Sequence, residues 1–179
     1  HVSPEEVYAF EYVSRNRLDV DAMEAFMTRD DSQPYCLIVA SKQPHTPWDQ
    51  GDPSQYRAED LTLPKYFADT PETRATLVKY YAEITYMDGQ LAQTLALLDE
   101  HEQAENTLVM FSTEQGSTAP HAKWTLYDAG IRGGMIARWP GVIAPGSASD
   151  ALVQYSDFLP TWIDAAGGDA APGIEGKSL

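Results

Sequence analysis

Glu114, Gln115, His121 and Lys123 crowd into one short run, "FSTEQGSTAPHAKW", directly after the apolar "NTLVMF". A carboxylate followed by an amide oxygen is a pair of hard donors, suited to Ca2+ or Mg2+ and poorly suited to zinc. Gly116 comes next and is expected to let the backbone turn sharply beside an ion. The same tripeptide also makes a solvated surface turn, and by themselves the residue types do not choose. Lys123 brings a compact ammonium, which neutralises one oxygen of a tetrahedral anion without imposing the fork of a guanidinium; its bland alternative is an ordinary surface lysine. His45, in "KQPHTPW", sits between Pro44 and Pro47, which stiffen the backbone on either side. A ring held that way serves as an anion donor or a general acid, or is simply structural. His121 is a further candidate of the same kind, whereas His1 and His101 are assigned nothing. Arg132 and Arg138 either contact an anion or pair with the plentiful surface carboxylates.

These groups need elements to place them. "SPEEVYAFEYVSRN" opens with helix-starting chemistry, and "DVDAMEAFMTRDD" predicts a second short helix with Val20, Met23, Phe26 and Met27 on one face. "QPYCLIVAS" is a short apolar run bounded by polar residues and proline, hence a buried strand with Cys36 as a buried structural thiol. "KQPHTPWDQGDPSQY" is loop. From Thr70 as cap and Pro71 at the first helical position, Leu77, Tyr80, Tyr81, Ile84, Met87, Leu91, Leu95 and Leu98 recur every three or four residues. That spacing predicts one long helix with a single apolar face, Gly89 being a weak point or a place of close packing. "ENTLVMFST" follows as a strand, and a helix between two buried strands reads as a parallel α/β unit. Tyr127, Asp128 and Gly130 make a turn that positions Lys123. "GGMIARWPG" is a third strand; "ALVQYSDFLPTWIDAAGG" is strand-like and then helical, capped by Ser156 or Asp157 and ended by Gly167 and Gly168.

The totals bound the function. The 179 residues suffice for one sizeable core, and a composition 43% hydrophobic and 11% aromatic is that of a folded domain. Against 27 acidic residues stand 12 basic ones, a net charge of −15 that repels nucleic acid and anionic membrane. An anionic substrate is therefore received through local cations. The lone cysteine forms no internal disulfide, no apolar stretch approaches the roughly 20 residues that span a bilayer, and both ends read as cut from something longer.

Five segments in order resemble the sulfatase family of the alkaline-phosphatase-like superfamily. "PYCLIVASKQPHTPW" is similar to that family's strand and Pro-His-x-Pro loop, and "YYAEITYMDGQLAQTLALLDE" to its long helix. "NTLVMFSTEQGS" resembles the strand and metal-binding turn, "AKWTLYDAGIRGGMIARWPG" the lysine-bearing segment, and "DALVQYSDFLPTWIDAAG" the next strand and helix. The resemblance implies an αβα sandwich of three layers with a mostly parallel sheet, present here over residues 1–179 as the second half of a catalytic domain. It implies a sulfuric ester hydrolase acting on a sulfated sugar or an aryl or alkyl sulfate, with Glu114 and Gln115 as ligands of Ca2+ (or Mg2+) and Lys123 and His45 on the sulfate. It also implies a formylglycine made from the cysteine of a Cys-x-Pro-Ser-Arg motif. Cys36, followed by Leu37, Ile38 and Val39, is not that cysteine, so the nucleophile, further acidic ligands and a C-terminal subdomain are expected outside this chain, which alone should be inactive. A Glu-Gln pair in place of the commoner Asp-Asn or Asp-His makes each ligand one methylene longer. Related readings are a phosphoester or phosphonate hydrolase of the same superfamily and a non-catalytic interaction module. Periplasmic, secreted or lysosomal placement follows from the resemblance, and the expected partners are an anionic sulfated substrate and either the rest of the domain or further copies joined at exposed sheet edges.

Overall fold

The computed structural model describes residues 11, 13, 18–169 and 172–179; the helix expected over "SPEEVYAFEYVSRN" lies outside them, Glu11 and Val13 aside. The chain divides into two compact units, His1–Ala104 with Thr113–Gly133, and Glu105–Ser112 with Gly134–Leu179.

The first unit is built on helices. Asp19 caps α1 (Val20–Met27) by accepting from the Ala22 amide at 3.0 Å, and Met23 and Met27 are buried as their spacing requires. The long helix α2 (Pro71–Glu100) starts at the expected Thr-Pro pair, with the Thr70 hydroxyl accepting from the Thr73 amide at 3.2 Å. That cap satisfies one of the amides that the first turn leaves without an intrahelical acceptor. Of the anticipated stripe, Leu77 and Leu98 are buried, 7% and 4% exposed, and the other six positions are half-buried. Each such leucine contributes about 2 kcal/mol of transfer energy. The C-terminal end of α2 is tied to α1: His101 Nε2 lies 3.0 Å from Glu24 Oε1, and the Gln103 side-chain amide donates to the Met27 carbonyl at 3.3 Å.

Gly89 is not a packing point. It is exposed, and a Cβ built there meets nothing within 4 Å. A glycine inside a helix costs about 0.5–1 kcal/mol relative to alanine. Gly89→Ala is therefore expected to stabilise the protein by about that amount, read as a rise in the denaturation midpoint; an unchanged or lower midpoint would contradict this account of the position.

The run "QPYCLIVAS" departs from expectation. It takes no strand conformation; Cys36 is exposed, and Ile38 and Val39 are 57% and 42% exposed. A strand exists through the ladder it makes with a neighbour, and no described strand runs beside this one. Composition registers the apolar run and is blind to the missing neighbour.

The second unit contains the only sheet among the described residues. β1 (Val109–Ser112) pairs with β2 (Met135–Arg138) antiparallel, Val109 facing Arg138 and Ser112 facing Met135. The expected parallel unit is thus absent from the described residues. A parallel pair needs a crossover that returns the chain to the same end, whereas the segment leaving β1 re-enters the sheet in the reverse sense. Ala151–Gln154, expected as strand-like, are irregular, and a 3-10 turn (Tyr155–Asp157) leads into α4 (Phe158–Ala165). Asp157, one of the two candidate caps, sits at the cap position of α4 but makes no side-chain capping bond there. Its carboxylate instead closes a capping box on the 3-10 turn, accepting from the Gln154 amide at 2.8 Å, and accepts from the Lys177 amide at 2.9 Å. Those two backbone donors, Gln154 first, hold its pKa below the usual carboxylate range. Trp162 on α4 reaches β1 by donating to the Met110 sulfur at 3.2 Å, and Gly167 ends the helix region at φ 74°.

Candidate active site

All five site candidates fall in the first unit, on two loops. The earlier loop carries His45. Its amide donates to the Lys42 carbonyl and the Trp48 indole donates to the Pro44 carbonyl, each at 2.9 Å, so the loop closes on itself around the histidine. The exposed His45 ring has Nδ1 2.8 Å from the Thr46 carbonyl oxygen. A carbonyl only accepts, so in the neutral ring the proton sits on Nδ1 and Nε2 carries the lone pair. Trp48 then packs against Tyr80 of α2, ring centroids 5.3 Å apart.

This loop is fastened to α2 by Glu83, which sequence reasoning passed over. Its side chain is 0% exposed. Oε1 accepts from the Gln43 side-chain amide at 3.0 Å; Oε2 accepts from the backbone amides of Gln50 and Gly51 at 3.0 and 3.1 Å. Gly51 permits the approach, since a Cβ there would stand 2.1 Å from the Ala82 carbonyl carbon. A carboxylate between Ala82 and Ile84 on the apolar side of a helix was the available signal, because a buried charge demands partners.

The later loop leaves β1 and carries the remaining candidates. Lys123 donates its amide to the Ser117 carbonyl at 2.8 Å, bending the chain back on itself. Between the neighbouring candidates Ala122 is 2% exposed, and its carbonyl accepts from the Thr125 hydroxyl at 2.6 Å. His121 and Trp124 flank this stretch at φ 62° and 69°. Left-handed backbone costs a non-glycine residue of order 1 kcal/mol and gathers at functional sites. The Lys123 ammonium lies 5.4 Å from the centre of the Trp124 ring, whose own exposure is 88%. His121 meets Tyr127 edge-on at 4.6 Å and Tyr66 at 6.1 Å. The short helix α3 (Asp128–Ile131) lies behind the loop, and Arg132 pairs with its Asp128 at 3.5 Å. Arg138 is on β2 in the other unit.

Glu114 and Gln115 stay side by side, the Gln115 amide donating to Glu114 Oε2 at 3.2 Å. Glu114 is exposed and Gln115 half-buried. Gly116 is not in left-handed backbone, as a sharp turn would have it. It is required for proximity: a Cβ there would fall 1.8 Å from the Ala129 carbonyl oxygen. Among the described residues no three His, Cys, Asp or Glu side chains converge as a metal cage. The donor chemistry of the pair fits a hard divalent ion as two members of a shell of about six or more oxygens; the others would come from beyond these residues or from water.

The two loops, far apart in sequence, meet on α2. Trp48 and Phe67 line a cleft of about 200 Å3 together with Leu77 and Tyr80 of the helix and Ser117 and Pro120 of the later loop. Burial raises the Tyr80 phenol above its ordinary pKa, opposed in part by its hydrogen bond with Ser117. The two loops reach this cleft through Trp48 and through Ser117 and Pro120; His45, Glu114, Gln115, His121 and Lys123 are not among the residues that line it.

The chain belongs to the sulfatase family: the family model, Sulfatase, matches residues 3–168. It is 32% identical over 192 residues to an ulvan-active sulfatase of Formosa agariphila, covering 100% of this chain and 37% of that protein. It is 25% identical over 211 residues to human N-sulphoglucosamine sulphohydrolase, covering 92% of this chain and 40% of that one. The chain thus spans well under half the length of these relatives. The solved structure of BT4656 in complex with its substrate D-glucosamine-2-N,6-O-disulfate resembles it with a TM-score of 0.55 and 25% identity, over 70% of this chain and 26% of the other.

Proposed function

We propose that the protein bearing this chain hydrolyses sulfuric esters of carbohydrates, and that Lys123 and His45 hold the sulfate group. The carrying observation is the match to the sulfatase family over residues 3–168; the relatives' substrates, ulvan and a sulfated glucosamine, support the choice of substrate class. Water adds to sulfur overall, the bond from sulfur to the ester oxygen breaks, and the alcohol leaves with a proton. Charge building on the sulfate oxygens is met by the Lys123 ammonium, fixed through Ala122 and Ser117, and by the Nε2–H of His45 in its imidazolium form. When protonated, Nε2 also has a proton to give the departing alcohol. A divalent ion, Ca2+ or Mg2+, would be held in part by Glu114 and Gln115 and would supply Lewis-acid stabilisation of the sulfate. Cys36 lacks the motif of a formylglycine precursor, and the nucleophile is assigned to a segment outside these residues. In the complete domain this chain contributes to an αβα sandwich of alkaline-phosphatase type.

Turnover of an aryl sulfate, an aryl phosphate and a 6-O-sulfated glucosamine by the full-length protein tests the reading. Both sulfates are expected to be cleaved well ahead of the phosphate; faster phosphate cleavage would replace the reading with a phosphoester hydrolase. In the same protein Glu114→Ala is expected to weaken calcium binding by roughly tenfold or more, about the 1.4 kcal/mol or above of one lost charged ligand. Calorimetry giving an unchanged affinity would strike Glu114 from the ligand set.

A further inference from the structure

We infer that Glu83 is a positioning residue for His45: a buried carboxylate on α2 that clamps both ends of the histidine loop and so sets where the imidazole stands. The inference rests on the role proposed above for His45. Glu83 is the largest fully buried side chain among the described residues, and every bond it makes reaches into one loop. Gln43 is held two residues before the histidine, and Gln50 and Gly51 are held just after Trp48. Between these two anchor points the chain carries the Pro44–Pro47 segment. Among the described residues the ring's hydrogen bond is to the neighbouring Thr46 carbonyl. The direction of the ring is therefore inherited from the loop, and the loop from the clamp. Burying a carboxylate is costly unless its lone pairs are met. Three donors meet them here, two of them main-chain amides that a side-chain substitution cannot remove. A hydrophobic residue at position 83 would leave those half-buried amides without this acceptor, which is why the clamp is an acceptor with two oxygens.

The chemistry separates the variants. Glu83→Gln keeps an oxygen for the Gln50 and Gly51 amides, and a rotated Gln43 amide accepts from the new NH2 group, so the loop is retained. Glu83→Ala removes every acceptor. Gln43→Ala removes one anchor, with the carboxylate and both main-chain bonds left in place, and serves if Glu83→Ala does not fold.

The test is made in the full-length protein with an aryl sulfate, combined with amide hydrogen exchange at Gln50 and Gly51. Glu83→Ala is expected to lower kcat at least tenfold with calcium affinity unchanged, Gln43→Ala several-fold, and Glu83→Gln no more than two- or three-fold. In a His45→Ala background the loss from Glu83→Ala should shrink to near nothing, because a displaced loop has no imidazole left to misplace. Exchange at the two amides should accelerate in Glu83→Ala and stay slow in Glu83→Gln. Slow exchange in Glu83→Ala would overturn the clamp. Fast exchange with a kcat loss that persists undiminished in the His45→Ala background would overturn the positioning of His45. If His45→Ala itself turns over normally, the proposed role of His45 fails and with it the positioning claim, while exchange still decides the clamp independently.

Discussion

Lys123→Ala in the full-length protein is expected to lower kcat for a sulfate ester by roughly 10²- to 10³-fold, the scale of losing one preorganised donor to a developing oxyanion. The fold should survive. Lys123 is held in place through its main chain, by the Ser117 carbonyl and the buried Ala122 on one side and the Thr125 turn on the other. Truncation beyond Cβ disturbs none of these bonds and removes only the ammonium and its contact with Trp124. Because the molecule carries 27 acidic against 12 basic residues, no general positive field stands in for the lost cation. Lys123→Arg should rescue only in part, a planar fork being a different shape from a point charge. Near-normal turnover by the alanine variant, with an unchanged circular dichroism spectrum, would remove Lys123 from the site.

The second large effect concerns Gly116. A methyl group there would overlap the Ala129 main chain, 1.8 Å from its oxygen and 3.0 Å from its carbon. Neither atom belongs to a flexible side chain, so relief requires the loop and α3 to part. Overpacking of this kind costs about 1–3 kcal/mol and occasionally more. Gly116→Ala is expected at the upper end, about 3 kcal/mol, because backbone meets backbone. It should also weaken divalent-ion binding, since Glu114 and Gln115 sit on the segment being pushed. A variant with wild-type melting and wild-type calcium affinity would show that the close approach to Ala129 is not required.

Legibility followed the range of the interaction. α2 was readable end to end because its cap, its proline and its apolar spacing are all local. β1 and β2 were readable as strands for the same reason, since a short apolar run reports burial. Their antiparallel sense was not readable, for it depends on which way the intervening chain returns. "QPYCLIVAS" misled because the pattern of a buried strand persists where no neighbour is described to bury it. The candidates at 45, 114, 115, 121 and 123 were picked by residue type and by resemblance; the structure puts neighbours of theirs, Trp48, Ser117 and Pro120, on one cleft that none of the five lines. Glu83 gave only the hint of an acid beside apolar neighbours, because the amides that satisfy it lie more than thirty residues upstream. Its role is legible only once the loop is folded against it.

The two-stranded ladder of the second unit has a practical corollary. β1 and β2 each face a partner on one side only among the described residues, and Ile136 on β2 and Leu152 beyond it are 68% and 97% exposed. An unpaired strand rim accepts almost any extended peptide of matching length. A polypeptide limited to these residues is therefore expected to associate with itself through those rims, and a clean monomer in sedimentation would contradict it.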